Sequence, residues 1–294
     1  MGTVIDRLDL THGGWRSRHS ALHLAVAAAK ACLDRGGLAP SDVDLLINAG
    51  IYRDRNMGEP ALAALIQQDI GANPEDPHDD AHGTFSFDIG NGTCGVLNAL
   101  QIVDGFLRSH AIEHALIVAG DADPGHRMSA DFPFSPAGAA LLCHWSDDEC
   151  GLGRVHWENF PDEGRSFRAT VGLEATRNVL RFSESASVDE QFAAAGACVA
   201  RACLDESSLA LSDIDVIAAA PARRGYRAAL AAKLGVTVER ITFAADEKTH
   251  TVSLAAALDR VVSQVPADAR VLIIAAGAGI TAGAAVYRTP PSGE

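Results

Sequence analysis

Aromatic side chains are scarce in this chain, at 5% of 294 residues, although 48% of the residues are hydrophobic. The apolar content comes instead from Ala and aliphatic residues, and 27 Gly stand beside them, a mixture suited to helices packed closely on a sheet. Positive charge is also short: 24 Lys and Arg against 38 Asp and Glu leave a formal net charge of −14. That excludes a general nucleic-acid or anionic-membrane binder, and an acidic ligand would need a local basic patch. No run reaches transmembrane length, and MGTVIDRLDLTHGG lacks the apolar segment of a signal peptide, so a cytoplasmic location is expected. The six cysteines show no CxxC spacing and no disulfide-scaffold density; reduced thiols are expected.

What is present is an internal repeat. Residues 31–50, ACLDRGGLAPSDVDLLINAG, align without gaps to 202–221, ACLDESSLALSDIDVIAAAP, at an offset of 171 with ten of twenty positions identical. HALIVAGDAD (114–123) likewise matches RVLIIAAGAG (270–279), and AALLCHW (139–145) matches GAAVYRT (283–289). Two copies of one α/β unit follow, each reading helix, strand, helix, strand, helix, strand, strand. Alternating strands and helices imply mostly parallel sheets covered by helices. Ser20 is the expected N-cap of an Ala-rich helix. Residues 42–49 read as a strand, 59–70 as a helix, and 71–83 as a polar loop. Between the copies, residues 150–188 read as an irregular insertion that caps a site.

The stretch FSFDIGNGTCGVLNALQIVDGFLRSHAIEHALIVA (85–119) organises the first copy. Phe85, Phe87 and Ile89 alternate as in a short buried strand, Gly90-Asn91-Gly92 turns the chain, and Val96, Leu97, Leu100 and Val103 repeat at helical spacing. Thr93 and Cys94 therefore lie at a helix N-terminus, where unpaired N–H groups and the helix dipole lower a thiol pKa. On position alone, Cys94 is either a nucleophile or a small buried residue. The other cysteines read as packing residues, with Cys150 the only other candidate for exposure.

FDIGNGTCGVLNALQIVDGFLRSHAIEHALIVAGDAD, FPFSPAGAALLC and RVLIIAAGAGITAGAAVYR together resemble the thiolase superfamily, and within it the β-ketoacyl-ACP synthase III type. NGTCGVLN is similar to the head-to-head acyl-condensing enzymes of olefin biosynthesis. The resemblance implies a thiolase fold of two pseudo-repeated halves in five layers, α-β-α-β-α. The halves would be 1–150, with the nucleophile turn, and 151–294, with a cap over 151–188. It also implies altered reactive positions. An ungapped match puts Thr93 in the nucleophile slot with Cys94 one place on, Ala222 in the slot of the family's His, and His250 in that of its Asn. The region that helps cover the CoA adenine in these relatives is reduced to Trp15, Arg16 and Arg18.

With Ala222 in place of a donor, decarboxylative elongation is not expected. Acyl transfer needs a nucleophile, a base and an oxyanion hole: Cys94 or Thr93, His250, and backbone N–H groups around Gly277 and Ala278. Arg223, Arg224 and Arg227 form a positive cluster suited to a phosphopantetheine phosphate or an acidic carrier protein. Asn91 and His126 complete the substrate-binding candidates. No bound cofactor is expected; the resemblance implies an acyl-CoA or a phosphopantetheinyl acyl carrier as substrate. His78, Asp79, Asp80 and His82 read as a solvated acidic loop in preference to a metal site, and no metal is assigned. The resemblance implies a dimer, either of this chain or with an intact homologue. Three readings stay open: an acyltransferase or specialised condensing enzyme, a catalytically silent partner of an intact synthase, and a small-molecule binding protein.

Overall fold

The computed structural model describes residues 2–15, 17–73, 83–161, 165–262 and 264–291. The first sheet contains β1 (Gly2–His12), β2 (Leu45–Asn48), β3 (Phe85–Asp88), β4 (Ala115–Asp121) and β5 (Ala137–Ser146), in the order β1-β5-β4-β2-β3. The second contains β6 (Gly151–Leu152), β7 (His156–Asn159), β10 (Val216–Ala220), β11 (Ile241–Thr242), β12 (Arg270–Gly277) and β13 (Thr281–Arg288). Its order is β11-β10-β12-β13-β6, with β7 also on β13. A hairpin, β8 (Phe167–Glu174) and β9 (Arg177–Glu184), forms a separate two-stranded sheet. The helices are α1 (Ala21–Gly36), α2 (Leu62–Ile70), α3 (Gly95–Arg108), α4 (Val188–Glu206), α5 (Arg224–Leu234) and α6 (Ser253–Val262).

Period-two alternation explains the layering. Leu46, Leu116, Val118, Ala140 and Leu142 face one side of the first sheet and pack with α1 and α2. Leu45, Ile47, Ile117, Ala139 and Leu141 face the other side and join the main core. There α3 packs on β1, β4 and β5, and α6 packs on β10, β1 and β5, while α4 covers β12 and β13 from outside. The result is five layers with α3 and α6 in the middle.

The repeat is visible in the side chains as well as the strand order. β2 and β10, matched at the offset of 171, hold the same place in their sheets, each parallel to both neighbours. Asp44 and Asp215, also matched, clip equivalent strand entrances. Asp44 accepts from the Glu113 and His114 N–H groups at 2.7 and 3.0 Å, and Asp215 from the Arg270 N–H at 2.8 Å.

Three expectations change. Residues 2–12 are a full strand, β1, pairing with β5 along its length. Phe85 is 58% exposed because β3 is an edge strand and not a buried one. Residues 150–188 are less irregular than expected: β6 and β7 extend the second sheet, and β8–β9 is the part that stands over the site. One face of that hairpin carries Phe167, Ala169, Leu180 and Phe182, paired across the strands as Ala169 with Phe182 and Phe167 with Glu184.

Close helix–sheet contact depends on small residues. A Cβ on Gly138 in β5 would sit 2.2 Å from the Leu24 carbonyl oxygen of α1. Gly138→Ala should therefore lower stability by about 1–3 kcal/mol through overpacking. Gly172→Ala, where a Cβ meets nothing within 4 Å, should leave the denaturation midpoint almost unchanged. Chemical denaturation of both variants checks the contrast.

Candidate active site

β3 ends at Asp88, and after a short loop a 3-10 turn over Gly92–Cys94 leads into α3. On that turn only the first of two consecutive side chains reaches the cavity. Thr93 lines a cavity of about 410 Å³. Cys94 is fully buried, is absent from the cavity lining, and points its sulfur at the Thr281 carbonyl, 3.6 Å away. Burial pushes its thiol up to about 12, opposed by a hydrogen bond with Thr93. The dipole at the helix start does not overcome that desolvation. The expectation of Cys94 as an activated nucleophile facing the pocket is not met, and Thr93 occupies that place.

Thr93 is held from the other half of the chain. Its hydroxyl donates to the Ala276 carbonyl in β12. The approach is close because the next residue is glycine: a Cβ on Gly277 would lie 2.8 Å from Thr93 Oγ1 and 3.2 Å from Cys94 Sγ. Gly277 and Ala278 line the cavity beside Thr93.

His250 enters from the segment before α6. Asp121, at the end of β4, receives the His250 N–H at 2.8 Å, the Thr251 N–H at 3.0 Å, the Thr251 hydroxyl at 2.6 Å and the Val252 N–H at 3.2 Å. Burial pushes the Asp121 carboxyl up, and the donated bonds oppose it. The His250 ring stacks on Phe134 at 4.3 Å and 12°, and its Nδ1 lies 2.7 Å from the Tyr52 hydroxyl. The Phe134 loop is tied in turn by the Ser135 N–H to the Lys248 carbonyl at 2.9 Å. Burial, helped by the positive charge of Arg223, lowers His250 to about 3. The imidazole is neutral at pH 7 and a poor proton acceptor.

Phe134, Phe167, Phe182 and Phe192 form the apolar wall of the cavity, with Arg223 and Lys248 also on its lining. The scarce aromatics are thus concentrated where an apolar ligand would lie. Among the candidates, Thr93, His250, Gly277, Ala278 and Arg223 come together; Cys94, Arg224, Asn91 and His126 do not line this cavity. Asn91 bonds to Asn98. Arg223 is engaged by Asp189 and Glu184, and Arg224 and Arg227 by Glu247, so the basic cluster is neutralised internally. His126 lies in a separate surface cavity with Arg55, Arg127 and Arg177. Trp15 is 78% exposed, while Arg16 and the loop with His78, Asp79, Asp80 and His82 lie outside the described residues. Among the described residues no group of three His, Cys, Asp or Glu could hold a metal ion. No helix there is long and apolar enough to cross a membrane.

Sequence reasoning missed Tyr52 and Asp121 as site residues. Asp121 carried a signal, a carboxylate ending an otherwise apolar strand; Tyr52 carried none, being a lone aromatic after β2.

Residues 204–289 match the family described as 3-oxoacyl-[acyl-carrier-protein (ACP)] synthase III C terminal. A β-ketoacyl-[acyl-carrier-protein] synthase III from Rhizorhabdus wittichii is 28% identical over 283 residues, covering 90% of this chain and 83% of the relative. The chain is ketoacyl-synthase-III-like. Its fold is shared with the 3-oxoacyl-(acyl carrier protein) synthase III structure from Pseudomonas aeruginosa: TM-score 0.81, 20% identity, 99% of both chains covered. OleA from Xanthomonas campestris superposes with TM-score 0.79 at 14% identity over 98% of both chains.

Two measurements follow from this geometry. Cys198 is the exposed cysteine and Cys150 is buried, which corrects the expectation for both. Iodoacetamide should label Cys198 first and reach Cys94 only on unfolding, as peptide mapping by mass spectrometry would show. For His250, the unfolded chain takes up a proton as pH falls below about 6.5, whereas the folded chain does so only near 3. Folding stability should therefore drop as pH falls through that window, by about 1.4 kcal/mol per pH unit from this residue. The stability difference between wild type and His250→Asn, followed by denaturation at pH 6 and pH 4, should shrink accordingly.

Proposed function

We propose that this chain is an acyltransferase of the condensing-enzyme type that binds an acyl thioester of CoA or of a carrier protein. The observation that carries this reading is the cavity itself. A wall of four phenylalanines suits an acyl chain, and it ends at Thr93, His250, Gly277 and Ala278, where a thioester carbonyl would lie. A volume of about 410 Å³ is in the range of small-molecule sites. The kinship with synthases whose names specify an acyl carrier protein supports the substrate class.

In this reading His250 and backbone N–H groups stabilise charge on the thioester oxygen as an acceptor attacks the carbonyl carbon and the donor thiol departs. Cys94 takes no part, because its sulfur lies in the core. Arg223, neutralised by Asp189 and Glu184, lies at the cavity without offering free charge. The phosphate-bearing part of a substrate is better served by Arg55, Arg127 and Arg177, which share the cavity of His126. The edge strand β3, with Phe85 exposed and 5.3 Å from Phe87, is the assigned surface for pairing with a second copy or a homologous synthase.

A second reading has one observation in its favour. The Thr93 hydroxyl donates to a backbone carbonyl, and His250 is too weak a base to take its proton. Without an acyl-accepting nucleophile of its own, the chain would act as an acyl-binding partner of an intact synthase.

Incubation with a panel of acyl-CoA and acyl-carrier donors, followed by thiol release and intact mass, separates the two. Transfer is expected to survive Cys94→Ser at near wild-type rate and to fall about a hundredfold in His250→Ala. Loss of transfer in Cys94→Ser would overturn the acyltransferase reading as given. Binding without turnover for every donor would favour the silent partner.

A further inference from the structure

We infer that Tyr52 is a positioning residue that fixes His250 as the Nε2–H tautomer, so that the site presents a hydrogen-bond donor, and not a base, to its ligand. The role assigned to the donor rests on the acyl-thioester reading above; the tautomer itself does not.

Two groups meet in the interior. Tyr52 is 2% exposed and His250 7%, and their hydroxyl and Nδ1 lie 2.7 Å apart. The geometry permits two proton arrangements. If Nδ1 carries the hydrogen, it donates to the Tyr52 oxygen, and the phenol hydrogen must find another acceptor. Among the described residues none is available: Nδ1 is the only partner of the Tyr52 hydroxyl there. The ring around it is apolar, with Phe132, Phe134 and Phe182 centroids 4.9, 5.8 and 6.3 Å away. The neighbouring carboxylate of Asp121 already accepts four hydrogen bonds from the His250 segment. A buried hydroxyl with no acceptor carries its full desolvation cost.

If instead the Tyr52 hydroxyl donates to an unprotonated Nδ1, both groups are satisfied. The single imidazole proton is then on Nε2. That atom has no hydrogen-bond partner among the described residues and belongs to a ring that lines the cavity. It lies beside the nucleophile turn, 3.6 Å from where a Cβ on Gly92 would be. Burial keeps both groups in the protonation states this requires. The Tyr52 hydroxyl is pushed well above its ordinary value, and the imidazole is held neutral.

The arrangement also explains why a histidine serves at this position without acting as a base. A donor aimed at the carbonyl oxygen of a bound thioester stabilises developing negative charge. A lone pair aimed there would repel it. Phe134, stacked on the ring, and the backbone bond to Asp121 fix the ring plane, so the phenol needs only to choose the tautomer.

Long-range 1H–15N correlation spectra of the 15N-histidine-labelled protein at pH 7 test this directly, with the His250 signals assigned by their loss in His250→Asn. The Nε2–H pattern is expected for wild type, and a shift toward mixed tautomers in Tyr52→Phe. An Nδ1–H pattern in wild type would overturn the inference, as would an unchanged pattern in Tyr52→Phe. Should His250→Asn fail to fold, sequential assignment of the wild-type spectrum identifies the His250 signals instead. Where a donor substrate supports turnover, Tyr52→Phe should lower kcat roughly tenfold with little change in KM, and His250→Asn, which keeps an amide donor, should outperform His250→Ala. Absence of turnover with every donor would count against the acyltransferase reading and leave the tautomer result standing.

Discussion

The carboxylate of Asp121 is the contact on which the site depends. It ends a strand of the first sheet and receives three successive N–H groups, and one hydroxyl, from the segment that starts α6 in the second. A helix start leaves such donors unpaired, and in a core they must find an acceptor. Here the acceptor comes from the opposite half. One carboxylate therefore ends the strand, begins the helix, and places His250 at the cavity that Thr93 also lines. Thr93 makes the reciprocal contact, donating from the first half to Ala276 of the second. Neither half holds a complete site.

Charge is arranged with similar economy. Arg223 lies at the cavity but is occupied by Glu184 and Asp189, and Glu247 serves Arg224 and Arg227. The exposed Arg224–Glu247 pair adds little to stability; the effect of the set is to cancel local field on an acidic protein. Arg55, Arg127 and Arg177, brought together from three segments, have no carboxylate partner among the described residues. Asn56 ties those segments by donating to the Met128 and Asn178 carbonyls at 2.7 and 2.6 Å.

Much of the fold was legible because it rests on periodicity. The offset of 171 placed β2 and β10 as equivalents, and the match extended to Asp44 and Asp215, whose clips recur in both sheets. The helix of Ser20 was readable from its cap, and the hydroxyl does accept from the His23 N–H at 3.0 Å. β1 was not readable, since its partner β5 lies over a hundred residues away. The site was half legible. Residue order put Thr93 and Cys94 at a helix start, but the direction each side chain takes is set by one 3-10 turn and by the missing Cβ of Gly277. Local order cannot show that. Tyr52 could not be foreseen either, because its partner is 198 residues away.

The hairpin over the cavity has a consequence for how such a chain can diversify. β8 and β9 are joined by the two residues Ala175 and Thr176, both with positive φ, so the turn alone sets which residues face inward. Inserting one residue there would shift the pairing and exchange the two faces of β9, turning Phe182 outward and a polar neighbour inward. Deleting or adding a pair would keep the faces but slide the phenylalanines along the cavity. Insertions and deletions at this surface turn are thus a route by which the depth of the cavity could change while its Thr93 and His250 end is left alone.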